Sequence, residues 1–173
     1  MNIYQLIRLF FWIAIVLYLS YNPLKAQNGY WLELNSQTST NLNSLHFFDE
    51  NNGLVVGDNG IIKKTTNGGK NWYAVNSNSN YDIEDVYFSG NTGYAVGAGM
   101  TFLKSSNNGN SWSYKKIGNY AATFKGVLCW NDTIWIVSTS YFNNNMLISK
   151  NGGDTFSIYN NPFSSSLNGV RSI

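Results

Sequence analysis

The chain has 173 residues, a formal net charge of +2, 12% charged and 16% aromatic residues, and a single cysteine. This length predicts roughly one domain, and the scattered basic residues form no stripe that could neutralise a nucleic-acid backbone, so nucleic acid is excluded as a partner. Because Cys129 is the only cysteine, no intrachain disulfide can form. We expect Cys129 to be a buried apolar residue in a strand.

The N-terminal segment, residues 1–26, is predicted to be a secretory signal peptide. Arg8 precedes an apolar run from Leu9 to Leu19, and a short polar stretch then leads to Ala26. The run is shorter than the roughly 20 residues that cross a bilayer as a helix, so we expect no membrane span apart from the signal segment. Cleavage is expected after Ala26; Leu24 is large for its place, which leaves an uncleaved anchor as an alternative. We therefore predict that the remaining chain is secreted, at the cell surface or in the periplasm.

Three similar segments follow at a regular spacing. They are Thr65-Thr-Asn-Gly-Gly-Lys-Asn-Trp72, Ser105-Ser-Asn-Asn-Gly-Asn-Ser-Trp112 and Ser149-Lys-Asn-Gly-Gly-Asp-Thr-Phe156, whose first residues lie 40 and 44 positions apart. Short apolar pieces of strand character precede each segment. Four short strands in a unit of about 40 residues are typical of a β-propeller blade. The sequence therefore predicts an all-β fold of four-stranded antiparallel blades in an incomplete ring.

The repeat also predicts the borders of the blades. We expect a fourth strand at residues 31–37, blades at about 42–77, 82–118 and 123–161, and the start of a further blade at 167–173, so that residues 27–173 form a partial propeller. A propeller has about four to eight blades, and an open stack leaves unpaired strand edges. We expect the sequence to be part of a longer propeller, or the chain to need a partner that closes the ring.

Each repeated segment is predicted to form the hairpin turn between the third and fourth strands. Glycine supplies the positive φ that a tight turn requires, and the Asn and hydroxyl side chains can accept backbone N–H groups of the same turn. The aromatic residue at the end would be buried against the hairpin. The residues assigned to these structural roles are Thr65, Asn67, Gly69, Trp72, Ser105, Asn107, Gly109, Trp112, Ser149, Asn151, Gly153 and Phe156.

These segments resemble the Asp-box, or BNR repeat, whose pattern is Ser/Thr, any residue, Asp, any residue, Gly, any residue, Thr/Ser, Trp. All three copies carry Asn where the family most often has Asp, and Phe156 stands in place of Trp. The glycine-flanked strands at 53–57 and 93–97 look similar to those of propellers of the photosystem II stability and assembly factor type. The resemblance covers about residues 31–173 and implies a propeller that acts in binding or assembly.

Asp-box propellers also include glycoside hydrolases. The resemblance to sialidases implies three arginines around a carboxylate, but Arg171 is the only arginine after the signal. The resemblance to endoglucanases implies a pair of aspartates, separated by about 6.5–9.5 Å in an inverting enzyme. We expect Asp49, Asp58 and Asp132 to be turn residues, and Asp58 is the one to test first.

No catalytic, cofactor-binding or metal-binding residue is predicted, and no cofactor is expected. His46 is the sole histidine and alternates with apolar neighbours on a predicted strand, so we expect a structural role. One histidine and one cysteine cannot supply a recognisable zinc site. Seven aromatic residues could line a platform for a carbohydrate or a peptide, but we expect them to pack between blades. They are Tyr73, Tyr87, Tyr94, Tyr114, Tyr120, Trp130 and Trp135.

The sequence therefore favours an exported, non-catalytic propeller that acts as a binding, scaffold or assembly-factor-like module. Its partner would be a protein or a glycan outside the cytoplasm. The alternative is a sialidase-like or endoglucanase-like glycoside hydrolase whose catalytic residues lie in blades beyond this sequence. Fold alone does not decide between these functions.

Overall fold

The computed structural model describes residues 33–119, 122–138 and 146–159. The chain divides into two units, Met1–Glu33 and Leu34–Ile173, and Glu33 is the one residue of the first unit that is described. The predicted signal peptide and the predicted start of a further blade at 167–173 lie outside the described residues. Of the strand predicted at 31–37, residues 33–37 are described and do not form a strand. A strand needs a ladder partner, and none of the sheets described below extends to this segment.

The second unit contains three sheets, which we call blades 1, 2 and 3. Blade 1 consists of β1 (Leu42–Phe47), β2 (Gly53–Gly57), β3 (Ile62–Thr65) and β4 (Tyr73–Val75). Blade 2 consists of β5 (Ile83–Ser89), β6 (Thr92–Gly97), β7 (Thr101–Ser105) and β8 (Ser113–Lys116). Blade 3 consists of β9 (Phe124–Trp130), β10 (Thr133–Ser138), β11 (Met146–Ser149) and β12 (Ser157–Tyr159).

Each blade is a four-stranded antiparallel sheet in which consecutive strands are neighbours. Within the described ranges, helical structure is limited to two three-residue 3₁₀ turns, Asp58–Gly60 and Ala98–Met100. The predicted fold class, an incomplete set of β-propeller blades, is therefore confirmed.

The second strands of blades 1 and 2 are buried along most of their length. All five residues of β2 are buried, and so are the last five residues of β6. A strand that is buried on both faces has a continuous run of apolar residues. This explains why apolar and polar residues do not alternate in these two segments. By contrast, every residue of β8 and β12 is exposed, so the fourth strands of blades 2 and 3 form an outer surface.

Two apolar cores hold the blades together. At the first junction, between blades 1 and 2, Leu54, Val56 and Ile62 pack with Ile83, Val86, Phe88, Leu103 and Trp112. At the second junction, between blades 2 and 3, Tyr94, Val96 and Phe102 pack with Phe124, Val127, Cys129, Ile134 and Ile136. Each core therefore joins one face of a blade to the opposite face of the next, as in a propeller.

The first strands of the three blades are also linked by a partly buried polar contact. The Asp85 carboxylate on β5 accepts a hydrogen bond from the Ser44 hydroxyl on β1 at 2.8 Å and from the Val127 N–H on β9 at 2.9 Å. One side chain thus fixes β1, β5 and β9 relative to one another. Close by, Lys125 Nζ lies 2.6 Å from Glu84 Oε1 and connects blades 3 and 2 in the same way.

Candidate functional site

The three repeated turns have the same hydrogen-bond network. The hydroxyls of Thr65, Ser105 and Ser149 each accept the N–H of the residue four positions later, at 2.9 Å in all three copies. The Oδ1 atoms of Asn67, Asn107 and Asn151 each accept the N–H of the residue four positions later, at 2.9, 3.0 and 3.0 Å. Each hydroxyl also donates to the Asn Oδ1 of its own turn, at 2.9 to 3.0 Å. Asn thus fills the acceptor role of Asp in these turns without a charge.

The glycine of each turn is required by both conformation and space. Gly69, Gly109 and Gly153 have φ values of 84°, 71° and 92°. A Cβ atom on Gly109 would lie 2.7 Å from the Leu54 side chain of blade 1. Because an L side chain rarely adopts this φ and would also collide with the neighbouring blade, the turn depends on glycine here.

The aromatic residues of the three turns are not equally buried, which corrects the expectation that each is buried against its hairpin. Trp112 is 4% exposed and packs edge to face on Phe88, with ring centroids 5.7 Å apart. Trp72 and Phe156 are only partly buried. Trp112 has blade 1 on its outer side, whereas Trp72 occupies the same position in blade 1, where no blade precedes it among the described residues. Phe156 has a smaller ring, which packs edge to face on Phe102 at 5.1 Å.

Each repeated turn rests on the first hairpin turn of its own blade. The N–H groups of Gly68, Asn108 and Gly152 donate to the carbonyl oxygens of Asn51, Asn91 and Asp132, at 2.8, 3.0 and 2.9 Å. The β3–β4 turns and the β1–β2 turns therefore lie at the same ends of the blades. We call this surface the Asp-box face.

Two lysines connect this face from blade to blade, and sequence reasoning missed them. Lys64 at the end of β3 donates to the Asn108 carbonyl and to Asn110 Oδ1 in the turn of blade 2, both at 2.6 Å. Lys104 at the end of β7 donates to the Gly152 carbonyl of blade 3 at 2.8 Å. The sequence feature that could have indicated this contact is a lysine directly before Thr65 and Ser105. In the third copy, Ile148 stands at that position.

A cleft of about 690 Å³ opens on the Asp-box face at the first junction. Blade 1 supplies one wall, which includes His46, Phe48, Lys64, Thr66 and Tyr73. Blade 2 supplies the facing wall, and its lining residues are Phe88, Gly90, Asn91, Asn108 and Asn110. The cleft is thus lined mainly by amide, hydroxyl and aromatic side chains, and it lies wholly between two described blades.

Two of the acidic residues considered for catalysis, Asp58 and Asp49, accept several hydrogen bonds through their carboxylates. The Asp58 carboxylate accepts the side-chain amides of Asn41 and Asn43 at 2.8 and 2.9 Å, and these hydrogen bonds lower the pKa of Asp58. Asp49 accepts the side-chain amide of Asn52 and two backbone N–H groups of its turn, which together lower the pKa of Asp49. A general acid needs a raised pKa, so neither carboxyl has the character of one.

The histidine and the cysteine lie among aromatic and apolar groups. His46 is half-buried, with its ring centroid 5.2 Å from those of both Phe48 and Phe88, and burial lowers the pKa of His46. Cys129 is buried in the second core, where burial raises the pKa of its thiol to about 11. Such a thiol has little thiolate character at neutral pH. Among the described residues, no three His, Cys, Asp or Glu side chains come together as a group that could hold a metal ion.

The fold and its turns define the class of this molecule, the Asp-box β-propellers. Within that class, residues 24–122 match the family model of the photosynthesis system II assembly factor YCF48, so the chain belongs to this family. A search of curated proteins found no match.

Solved structures with a similar fold include two YCF48 proteins and an enzyme. YCF48 bound to a D1 peptide is 22% identical and matches 73% of this chain with a TM-score of 0.61, and YCF48 from Cyanidioschyzon merolae is 21% identical and matches 75% with a TM-score of 0.63. This chain spans 45% and 40% of those two chains. An ancestral GH74 enzyme is 18% identical, with 69% of this chain and 20% of the enzyme chain covered and a TM-score of 0.53. At these identities the likeness shows the fold alone.

In the part of the chain that the structure describes, no helix has the length and apolar character needed to cross a membrane.

Proposed function

We propose that this protein is an exported, non-catalytic propeller that binds a segment of another protein outside the cytoplasm and acts as a scaffold or assembly factor. Membership of the YCF48 family supports this function, as does a peptide complex of a YCF48 protein. The observation that carries the proposal is the polar cleft on the Asp-box face, where two blades border an open space of about 690 Å³. Clefts of roughly 300–1,000 Å³ are typical of ligand sites.

A scaffold role is supported by the way in which the face is built. The turn residues are tied by short hydrogen bonds within each blade, and Lys64 and Lys104 tie the turns of blades 2 and 3 to the preceding blade. A surface that is already ordered loses little conformational freedom when a partner binds. The partner itself is proposed to be a protein, with a glycan as the alternative that the binding experiment must separate.

Binding can be tested on an array of overlapping peptides from exported proteins, probed with the purified chain, alongside an array of neutral oligosaccharides. We expect a restricted set of peptides to bind and the oligosaccharides not to bind. Peptides that bind equally well to a heat-denatured sample would not count. If the folded chain bound oligosaccharides alone, the proposed partner class would be wrong.

A glycoside hydrolase is the second candidate, because an ancestral GH74 enzyme shares the fold. Release of reducing sugar from a panel of β-glucans and sialosides should stay at the level of a boiled control. If sugar release were detected and Asp58→Asn abolished it, the non-catalytic assignment would be wrong. Asn41 and Asn43 remain in that variant, so the substitution removes the carboxylate charge with little change of shape.

Export is proposed from the first 26 residues and needs its own measurement. The full chain with a C-terminal tag, produced in a Gram-negative bacterium, should be found outside the cytoplasm with a new N-terminus at Gln27. A second sample with Leu9, Ile13 and Leu17 changed to Asp should stay in the cytoplasm. Intact Met1 on a cytoplasmic product of the unmodified chain would contradict the proposal.

A further inference from the structure

The lining of the cleft at the first junction has no net formal charge, because Asp49 and Lys64 are its one acid and its one base. Lys64 Nζ is held by the Asn108 carbonyl and Asn110 Oδ1, and the Lys64 side chain is buried. The Asp49 carboxylate is occupied by Asn52 and by the backbone of its own turn. A charged ligand would therefore meet no excess of opposite charge in the cleft and would lose part of its hydration there.

The same cleft contains polar side chains that are free to bind. Thr66, Tyr73, Asn91 and Asn108 all line it, and their side chains make no hydrogen bond with other described residues. An asparagine side chain offers both donors and an acceptor, which suits the N–H and C=O groups of an extended peptide. The positions of Asn91 and Asn108 are fixed, because the Asn108 N–H donates to the Asn91 carbonyl at 3.0 Å.

The aromatic residues of the cleft favour a peptide over a sugar. Phe48 and Phe88 meet edge to face, with centroids 4.8 Å apart, and Phe47 meets Trp72 in the same way at 6.3 Å. Rings packed against one another in this manner form an apolar wall for a side chain, whereas a sugar stacks on the free flat face of a ring. Tyr73 lines the same cleft, is 46% exposed, and can cover an apolar side chain there.

From these features we propose that the cleft between blades 1 and 2 binds a short, extended, uncharged peptide segment. Asn91 and Asn108 bind its backbone, and Phe48, Phe88 and Tyr73 surround one of its apolar side chains. This inference rests on the proposed peptide-binding function and adds a location and a ligand class to it.

The repeat supplies substitutions that the fold already accepts at equivalent positions. Asn108 has a φ of 55°, and glycine stands at its place in the other two turns, as Gly68 and Gly152. Asn108→Gly thus removes the amide without straining the backbone. Tyr73 pairs with Lys64, as Ser113 pairs with Lys104, so Tyr73→Ser gives blade 1 the residue of blade 2. Tyr114→Ser is the matched control, because Tyr114 is a 37% exposed fourth-strand tyrosine outside the cleft lining.

The probe is a phage-displayed library of random heptapeptides, selected on the folded chain, with dissociation constants measured on the selected peptides by fluorescence anisotropy. We expect selected peptides with no charged residue at their shared positions and with affinities that change less than about twofold between low and high salt. Asn108→Gly and Tyr73→Ser should each weaken binding about three- to tenfold, and the control should not. Thermal midpoints of all three variants should match within the error of the melt.

The possible failures are distinguishable. If the selected peptides bound both cleft variants as tightly as the unmodified chain, the cleft would be the wrong site while peptide binding itself would stand. Charged consensus peptides, or affinity lost in salt, would overturn the uncharged ligand class. If no peptide were selected, both this inference and the proposed function would fail.

Discussion

The two blade junctions are built on the same frame but differ in chemistry along one row of side chains. This row runs across the strands near the Asp-box face. Each member pairs with the next one on the neighbouring strand, so the side chains of the row lie on the same side of the sheet. In blade 1 the row is His46, Leu54, Lys64 and Tyr73, and in blade 2 it is Tyr87, Tyr94, Lys104 and Ser113. The lysine is common to both rows, whereas the residues around it change.

The second junction has a second lysine bridge, at a position where the first junction has none. Lys115 Nζ donates to the Gly153 and Asp154 carbonyls at 3.2 and 2.7 Å and lies 5.8 Å from the Phe156 ring centroid. Val75 occupies the equivalent position in blade 1, because it pairs with Ile62 as Lys115 pairs with Phe102. Valine cannot reach the next turn. Side chains that recur in each blade therefore maintain the fold. Side chains that differ between blades can give one junction a binding site that the other junction lacks.

The comparison predicts that the aromatic residue of the turn contributes more to stability at the first junction than at the second. Trp112→Ala should lower the free energy of unfolding by about 3–5 kcal/mol, the cost of removing a large aromatic side chain from a core. Phe156→Ala and Trp72→Ala should cost less, because both side chains are partly exposed. Urea unfolding of the three variants, followed by tyrosine fluorescence and circular dichroism, measures the differences. Equal losses at all three positions would show that the turn itself, not the junction, sets the cost.

The lysines at the two junctions, Lys64 and Lys104, should also contribute different amounts to the free energy of unfolding. Lys64→Met keeps the alkyl chain but leaves the Asn108 carbonyl and Asn110 Oδ1 without their donor, and we expect a loss of about 1–3 kcal/mol. Lys104→Met removes one donor, from the Gly152 carbonyl, at a more exposed site where Lys115 still reaches the same turn, so a smaller loss is expected. A double variant measures whether the two losses add, as they should for separate junctions. A larger effect at Lys104 would contradict this account.

The sequence predicted the features that recur within every blade. It did not predict the contacts that a blade makes with its neighbour. The hairpins, their glycines and the Asn acceptors are local, so the spacing of Asn67, Asn107 and Asn151 was enough to predict their hydrogen bonds. The roles of Lys64 and Asp85 depend on groups 44 and 42 residues away, Asn108 and Val127. Nothing in a single strand indicates such a partner. The cleft was missed for the same reason, because its walls come from two blades.

A third prediction concerns the Asn residues of the turns, where the two junctions should behave alike. Asn107→Ala and Asn151→Ala each remove an acceptor of one backbone N–H, and each should cost about 1 kcal/mol, by analogy with helix caps. Since both residues act inside their own hairpin, the position of the blade should not matter. Asn107→Asp restores the usual residue of the family and serves as the control that keeps the acceptor. If Asn107→Ala cost several times more than Asn151→Ala, the turn would be supported by its junction after all.

The smallest expected effect is a pH dependence that the first junction has and the second lacks. Burial among Phe48, Tyr87 and Phe88 lowers the pKa of His46 from its usual value of 6.5, so the folded state disfavours the proton that the unfolded chain accepts. As the pH falls through the unfolded pKa towards the folded one, the unfolded state binds more protons, and stability must fall. His46→Tyr introduces the residue that blade 2 has at Tyr87 and should remove this part of the decline between about pH 7 and pH 5.5, because tyrosine does not titrate there.

Urea unfolding at several pH values measures the difference, and the imidazole resonances of the unmodified protein report the pKa directly. A His46 pKa at or above that of an unfolded peptide would show that the ring is solvated, and the wall that it forms with Phe48 and Phe88 would then be open to water.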